Sequence, residues 1–224
     1  MELEPLLTAA GVEARWVGRL ARYGALVLET NRTFNLTGAK SAEDLVAHLL
    51  DSLRIVPFIA GDSLVDVGSG AGFPAIPVAI ATGVPITLIE ATQKKARFLE
   101  RMLETFQLAG EVVAERAEVA GRRERLRDAF ACGTVRAVST APTVAELVLP
   151  FLKPGGVAIL QRGTMEARER AALADAAMML GAEISAEPAL EGERRIVLLR
   201  KRSLTPMRFP RRTGVPEKRP LCMG

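Results

Sequence analysis

The sequence predicts an α/β protein built on one seven-stranded, mostly parallel sheet. From residue 63 onward, apolar segments of strand length alternate with segments of helical periodicity, which is typical of parallel sheets. A glycine-rich turn follows the first apolar segment. The last two apolar segments are separated only by Glu191-Gly192-Glu193, and so short a loop requires an antiparallel pair at a sheet edge.

The first sixty residues carry helical patterns and predict a helical cap. We expect short helices near 4–10 and 12–30, and a third helix from Ser41 to about Ile59. Ser41 and Asp44 have the spacing of a capping box, in which each side chain accepts a hydrogen bond from a backbone N–H at the start of the helix. The chain therefore divides into a helical cap at 1–60, a core at 61–202 and a basic tail at 203–224, within one structural domain.

The core segments follow in order. Thr92 has the position of a helix N-cap, Pro142 is a helix start signal, and Lys153-Pro154-Gly155-Gly156 is a stop signal. Five parallel strands and a terminal hairpin then complete the sheet. We expect strands near 63–67, 85–90, 111–114, 134–139, 156–161, 183–190 and 194–200, and helices near 74–82, 93–108, 143–152 and 165–180.

Residues 64–72 read Leu-Val-Asp-Val-Gly-Ser-Gly-Ala-Gly, an apolar strand followed by glycines at alternate positions. Without Cβ atoms, such a turn lets a ligand lie against backbone N–H groups. A dinucleotide fingerprint would have glycine where Phe73 stands. The observed spacing, with Asp66 before it, is the form seen in S-adenosylmethionine methyltransferases. The simpler alternative is a tight turn that binds nothing.

A second acidic residue supports a nucleoside site. Glu90 ends the second predicted strand, where a carboxylate can accept both ribose hydroxyls of a nucleoside cofactor. An exposed acid at a strand end is the alternative, but the glycine turn upstream favours nucleoside binding. Together the two motifs indicate a Rossmann-like sheet of the class I methyltransferase type.

Composition narrows the class of protein further. No apolar run approaches the ~20 residues of a membrane span, and Met1-Glu2-Leu3-Glu4 lacks the basic start of a signal peptide. Two distant cysteines, Cys132 and Cys222, and a single histidine argue against a metal site. We therefore expect a cytoplasmic protein with no metal.

The last 25 residues hold eight basic residues and one acidic residue, whereas the other 199 hold 22 basic and 25 acidic. A basic tail with little capacity to form its own core is expected to meet phosphate. A solvated terminus is one alternative. The other is that Phe209-Pro210 and Pro220-Leu221 dock the tail against the body.

The chemistry can be approached by exclusion. Methyltransferases of exocyclic amines carry an Asn/Asp-Pro-Pro-aromatic loop after the fourth strand, and cytosine-C5 enzymes use a nucleophilic cysteine; residues 137–142 hold neither. The remaining targets need no covalent activation. Guanine N7 is one of them, because it has a free lone pair and needs only to be placed in line with the methyl group at about 3–3.5 Å.

Several longer motifs are shared with one family, at 31–37, 48–53, 65–74, 94–99, 116–118, 209–212 and 214–221. Almost end to end, the chain resembles the bacterial small-subunit ribosomal RNA guanine-N7 methyltransferases, also called glucose-inhibited division protein B. The resemblance implies S-adenosylmethionine as cofactor and methyl transfer to one guanine N7 in 16S rRNA. The implied partner is small-subunit rRNA or the assembling 30S subunit, without a membrane, and we expect a monomer.

The resemblance also implies site residues. Gly68 and Phe73 would line the methionine end of the cofactor, Glu90 its ribose, and Ala117 and Glu118 its adenine. The full set of implied cofactor residues is Gly68, Gly70, Phe73, Glu90, Ala91, Thr92, Ala117, Glu118 and Thr140. The expected RNA contacts are Lys153, Arg162, Arg208, Arg211, Arg212, Lys218 and Arg219.

His48 and Thr140 are the candidates at the catalytic position, for positioning rather than acid–base chemistry. His48, Asp51 and Ser52 share one face of the third predicted helix. They can contact the target base or an RNA phosphate, or they can anchor this helix over the cofactor site. The anchor is the favoured interpretation.

One departure from the family concerns an Arg-Ala pair after the fourth strand. With that strand placed at 134–139, the matching pair is Thr140-Ala141, and an arginine beside the cofactor is missing. Two alternative functions therefore stay open at this point. One is a methyltransferase acting on another RNA or a small molecule, and the other is a weakly active rRNA-binding assembly factor.

Overall fold

The computed structural model describes residues 3–136, 139–188 and 195–223. Its N-terminal part consists of helices α1 (Leu3–Ala9), α2 (Ala14–Asn31) and α3 (Ala42–Leu53). Their apolar faces pack together, and Leu7, Leu20 and Leu45 are completely buried. Helix formation here is therefore driven by burial of one apolar stripe on each helix.

The predicted capping box of α3 is confirmed. Ser41 Oγ accepts the Asp44 N–H at 3.1 Å, and Asp44 Oδ2 accepts the Ser41 N–H at 3.2 Å. The predicted end near Ile59 is wrong, because α3 ends at Leu53 and a 3-10 turn at Val56–Phe58 follows. Pro57 explains the early end, since proline lacks the N–H of a helical hydrogen bond and disfavours helical backbone at the preceding residue.

The core is one seven-stranded sheet with the order β3-β2-β1-β4-β5-β7-β6. Strands β1 to β5 are parallel, whereas β7 is antiparallel to both β5 and β6. The predicted seven strands and antiparallel terminal pair are confirmed, while the loop between the last two strands lies outside the described residues. The strands are β1 (Leu64–Val67), β2 (Ile86–Ile89), β3 (Gly110–Val113), β4 (Phe130–Val135), β5 (Leu152–Arg162), β6 (Ala182–Ala186) and β7 (Arg195–Lys201).

Helices cover both faces of the sheet. Successive strand residues point to opposite faces, so Leu64 joins the cluster under the N-terminal helices while Val65 joins the cluster on the other face. Within the described residues, no helix combines the length and apolar character that crossing a bilayer requires. The remaining helices are α4 (Ala75–Thr82), α5 (Gln93–Phe106), α6 (Ala117–Ala120), α7 (Ala141–Val148), α8 (Ala167–Met179) and α9 (Val215–Lys218).

Strand β4 differs from its predicted position. It begins at Phe130 and ends at Val135, four residues earlier than expected. Its centre contains Gly133, where an added Cβ would lie 2.8 Å from Val148 Cγ2. Close packing of α7 against the strand therefore selects a residue that has little intrinsic preference for strands. The short helices α6 and α9 were not predicted.

The basic tail is docked against the body. Phe209 and Leu221 are buried in the cluster on the sheet face opposite the N-terminal helices. Arg127 donates to the carbonyls of Phe209 (2.9 Å) and Thr205 (2.6 Å), and Arg122 donates to the carbonyl of Pro210 (2.6 Å). The structure therefore shows a docked tail and not a solvated terminus, and the exposed cations of the docked tail are still accessible to phosphate.

One basic residue near the start of the tail lies in the interior. Lys201, at the end of β7, is completely buried. Its ammonium donates to the carbonyls of Leu149 (2.9 Å) and Leu180 (3.3 Å) and to the hydroxyl of Thr205. Burial lowers the pKa of Lys201 to about 8, and Asp128, 3.9 Å away, opposes that effect. The Lys201 ammonium therefore links the end of β7 to Leu149, Leu180 and Thr205.

We predict that Arg127→Ala lowers the free energy of unfolding by about 2–4 kcal/mol, because it leaves several buried tail carbonyls without a charged donor. Urea denaturation measures this change. Arg125→Ala is the matched control, since Arg125 is exposed and pairs with Glu111 at the surface. Equal stability of the two variants would contradict the docking role of Arg127.

Candidate active site

The glycine turn begins directly after β1. Gly68, Gly70 and Gly72 have φ angles of 73°, 57° and 97°, which disfavour residues with a side chain. A Cβ on Gly72 would lie 2.5 Å from Ile76 Cδ1 and 2.9 Å from Tyr23 Oη, whereas a Cβ on Gly68 would meet no atom within 4 Å. Gly72 is therefore required by packing, and Gly68 leaves open space beside its backbone for a ligand.

Glu90 fixes the shape of this turn. Its side chain is almost fully buried, with Oε2 accepting the Gly70 N–H at 2.9 Å and Oε1 accepting the Thr92 N–H at 2.7 Å. The carboxylate thus joins the end of β2 to the turn after β1. Thr92 is the N-cap residue of α5, as expected, although its side chain makes no capping hydrogen bond.

A cavity of about 310 Å³ opens at the carboxyl ends of β1, β2 and β4. Of the predicted cofactor residues, Gly68, Glu90, Ala91, Ala117 and Glu118 line it. Gly70, Phe73, Thr92 and Thr140 lie outside its wall. The sequence did not predict the other lining residues, which are Val67, Ile89, Glu115, Arg116, Val135, Ser139, Thr143, Val144, Leu147, Pro216 and Glu217.

The docked tail reaches this cavity. Glu118 is almost fully buried, and its Oε1 accepts the Gly214 N–H at 2.8 Å. Thr143 Oγ1 donates to the Pro216 carbonyl at 3.0 Å. Pro216 and Glu217 therefore form part of the wall. The shared motif at 214–221 contains both residues, but they were not expected to contribute to the cofactor site.

Arg136 is a further candidate site residue that the sequence motifs did not single out. Its guanidinium lies 2.6 Å from His48 Nδ1, 3.9 Å from an Asp51 carboxylate oxygen and 5.5 Å from the centre of the Phe73 ring. Because β4 ends at Val135, the residues that follow it are Arg136 and Ala137; Ala137 lies outside the described residues. The Arg-Ala pair is therefore at 136–137, and its assignment to Thr140-Ala141 was wrong.

Thr140 has a different role from the one expected. It is the N-cap residue of α7, and its hydroxyl lies 2.9 Å from that of Thr143. The fourth strand was predicted four residues too late, so the arginine that follows it was expected at position 140. The observed strand end removes this departure from the family pattern.

A second cavity, of about 300 Å³, lies beside Arg136. Gln161 Nε2 donates to the Asp51 carbonyl at 2.8 Å, which ties the end of β5 to α3. This network fits the interpretation of His48 as part of a polar anchor of α3. The cavity wall is cationic, because it contains Arg136, Arg162 and Arg195. The lining residues are His48, Asp51, Arg136, Gln161, Arg162, Gly163 and Arg195.

The expected RNA contacts differ in their surroundings. Arg211 is engaged inside the protein, because its guanidinium and backbone N–H all bind the carboxylate of Glu146, which is completely buried. Arg162 donates to Glu169 at 2.8 Å and to the Ser139 carbonyl. Lys153 is 3.6 Å from Asp62, which precedes β1. It lies at the start of the strand that Arg162 ends, so it is at the edge of the sheet opposite the cavity and does not extend the RNA surface as expected. Among the described residues no carboxylate lies within 4.0 Å of the exposed side chains of Arg208, Arg212, Lys218 and Arg219.

Asp66 lies behind the glycine turn in the interior. Thr134 Oγ1 donates to its Oδ1 at 2.9 Å, and the Ser69 hydroxyl donates to its carbonyl at 3.1 Å. Burial raises the pKa of Asp66 to about 7, and the hydrogen bonds from Thr134 and Ser69 only partly oppose it. The group therefore changes its charge near neutral pH.

The strand order, the glycine turn and the acid at the end of β2 define a Rossmann-like methyltransferase fold. The chain superposes on an O-methyltransferase from Bacillus cereus, solved in complex with SAH, with a TM-score of 0.57 at 18% identity. The alignment covers 80% of this chain and 91% of that one. This likeness establishes the fold.

The family follows from sequence comparison. The family model described as GidB, rRNA small subunit methyltransferase G, matches residues 17–198. Ribosomal RNA small subunit methyltransferase G of Nostoc punctiforme is 39% identical over 211 residues, covering 88% of this chain and 86% of its own. The protein of the same name from Chloroflexus aggregans is 41% identical over 209 residues, covering 89% and 88%. The chain belongs to the rRNA small subunit methyltransferase G family.

We predict that Asp66 makes stability depend on pH. Its folded pKa of about 7 lies above the ~3.9 of an unfolded aspartate, so the folded state binds more protons between these values. The free energy of unfolding should therefore fall as pH rises from about 4 to 7, by at most about 1.4 kcal/mol per pH unit from this group. Urea denaturation at several pH values measures the trend.

Asp66→Asn isolates this contribution, because asparagine does not titrate and can still accept the Thr134 hydrogen bond. The difference in unfolding free energy between the variant and the wild type should grow in favour of the variant from pH 5 to 7 and then level off. A difference that is constant over this range would show that Asp66 does not titrate there.

Proposed function

We propose that this chain transfers the methyl group of S-adenosylmethionine to N7 of a guanine in 16S ribosomal RNA. The observation that carries the proposal is the family match, which spans the glycine turn, the acid at the end of β2 and Arg136. We further propose that the chain acts as a monomer, in the cytoplasm, on rRNA or on the assembling 30S subunit.

The residues around the cavity beside Gly68 fit the cofactor. Gly68 leaves backbone open to a ligand, and the carboxylates of Glu90 and Glu118 can accept hydrogen bonds from ribose hydroxyls and an adenine amine. Val135, Val144 and Leu147 supply apolar wall for a base. When bound, the cofactor supplies an electrophilic methyl group on a positively charged sulfur.

The protein's own part in the proposed reaction is positioning. Guanine N7 attacks through a free lone pair, so no side chain has to remove a proton from the attacking atom. Placing the two reactants in line can supply about 7–11 kcal/mol of the barrier reduction. We expect Arg136, which contacts His48 at 2.6 Å and lies 3.9 Å from Asp51, to meet the target base or its phosphate.

The structure and the family match do not favour the two alternative functions. A weakly active assembly factor was considered because threonine appeared to replace the arginine after the fourth strand. Arg136 follows β4 directly, so that reason for low activity does not apply. No feature of the described residues favours a small-molecule substrate over rRNA.

The proposed function predicts a specific product. Wild-type protein, incubated with labelled S-adenosylmethionine and either naked 16S rRNA or assembled 30S subunits, should yield 7-methylguanosine on nucleoside mass spectrometry. Methylation of a different nucleoside atom, or of neither substrate, would overturn the proposal.

Glu90→Ala serves as the matched loss-of-binding variant. It removes the acceptor for two backbone N–H groups of the site, each charge-assisted bond being worth about 1.5–3 kcal/mol, so cofactor affinity should fall at least about tenfold. Glu111→Ala removes a carboxylate on β3 that pairs with Arg125, and it should methylate like the wild type.

We also propose that Arg208, Arg212, Lys218 and Arg219 bind rRNA phosphates, with Arg162 at the carboxyl end of β5 extending this surface. Changing Arg212 and Lys218 together to alanine should weaken RNA binding. The slope of log affinity against log salt should flatten by about 0.7–0.9 for each lost contact. Arg211 is left intact because it holds Glu146.

Changing Arg15 and Arg125 together to alanine gives the same net charge from cations paired with Glu13 and Glu111. This control should retain the wild-type slope. If both double variants show the same slope as the wild type, the tail cations do not contact phosphate.

A further inference from the structure

We propose that tail residues 211–217 are part of the cofactor site, so that docking of the tail and binding of the cofactor strengthen each other. The inference rests on the proposed function only for the identity of the ligand, an adenosine-containing cofactor. It assigns to the tail a role that is independent of RNA binding.

The first observation is the clamp that fixes the start of this segment. Glu146 of α7 has no exposed surface, and Arg211 contacts it with its backbone N–H at 2.7 Å and with Nη2 at 2.6 Å. Arg211 Nε is 3.0 Å from both carboxylate oxygens. Leaving the buried Glu146 carboxylate without this partner would cost much of the stability of the fold. The ion pair therefore holds the start of the tail segment on α7.

The second observation is that the end of the segment is fastened by residues of the cavity itself. Glu118 and Thr143 both line the cavity, and they bond the backbone of Gly214 and Pro216 respectively. The same segment then contributes Pro216 and Glu217 to the wall. Undocking the tail would therefore remove one side of the cavity.

Glu118 connects docking of the tail with binding of the cofactor. Its Oε1 accepts the Gly214 N–H, whereas its Oε2 makes no hydrogen bond to another described residue. With the tail docked, the carboxylate is held in one orientation and Oε2 can accept from the amine of a bound adenine. With the tail undocked, that orientation would have to be fixed at the expense of binding energy.

Because coupling free energies are reciprocal, a cofactor that prefers the docked state must also stabilise docking. Two measurements follow from this. Weakening the docked tail should lower cofactor affinity, and adding cofactor should protect the tail.

The first measurement uses Gly214→Ala. Gly214 has a φ of 79°, which strains a residue with a side chain, yet its added Cβ would meet no atom within 4 Å. The variant therefore weakens docking without filling the cavity. We expect calorimetry to show about fivefold weaker binding of S-adenosylhomocysteine.

Gly83→Ala is the matched control. Gly83 has a φ of 74°, its added Cβ also meets no atom within 4 Å, and it caps α4 at the opposite edge of the sheet. It should have the same backbone strain and bind S-adenosylhomocysteine like the wild type. Equal affinities of the two variants would overturn the proposal.

The second measurement uses wild-type protein, so it does not depend on how any variant folds. Trypsin cleavage after Arg212 and Lys218, followed by mass spectrometry, should slow several-fold when S-adenosylhomocysteine is saturating. Unchanged cleavage would overturn the coupling. Cleavage after Arg15, an exposed arginine on α2, gives the control for general stabilisation, because α2 contributes no residue to the cavity wall.

These outcomes separate this inference from the proposed function. Absence of 7-methylguanosine from a protein that binds S-adenosylhomocysteine and protects its tail would count against the rRNA target alone. Normal rRNA methylation by Gly214→Ala, with unchanged cofactor affinity, would count against the tail's role alone.

Discussion

The parallel alignment of β1 to β5 is the constraint on which the site depends. Parallel strands require crossover helices, so all five strands finish at the same edge of the sheet. The glycine turn, Glu90, Arg136 and Arg162 follow or end different strands and are gathered there from distant parts of the chain. Glu90 then joins two neighbouring strand ends by accepting the Gly70 N–H, which makes the turn and the end of β2 one rigid unit.

Local sequence signals predicted much of the fold. The capping box at Ser41, the glycine turn and the alternation of apolar segments all act through nearby residues, and the structure agrees with each. Strand β4 was misplaced because Ala131 and Gly133 have weak strand preference, and the conformation of this segment is decided by pairing with β1 and β5 on either side. That one error hid Arg136, since the Arg-Ala pair was sought four residues too late.

The docking of the tail could not have been predicted in the same way. Arg122 and Arg127 bind backbone carbonyls more than 75 residues away in the chain, and a carbonyl has no residue-specific signal. The last 25 residues do carry the strong positive charge that was counted, but Lys201 and Arg211 use their charges inside the protein. The net charge of the segment therefore indicates its electrostatic potential, but it overstates the number of cations that a partner can reach.

The charges of the two cavities are divided in a way that suits two different ligands. The carboxylates of Glu90 and Glu118 line the cavity beside Gly68, where the proposed cofactor carries a sulfonium and hydrogen-bond donors. Arg136 and Arg162 line the cavity beside His48, where a polyanion would approach. Phe73 contacts Arg136 directly after the glycine turn, at the place where the two regions meet. An arrangement with the charges exchanged would repel both ligands, so this division supports one site that brings a cationic donor to an anionic RNA.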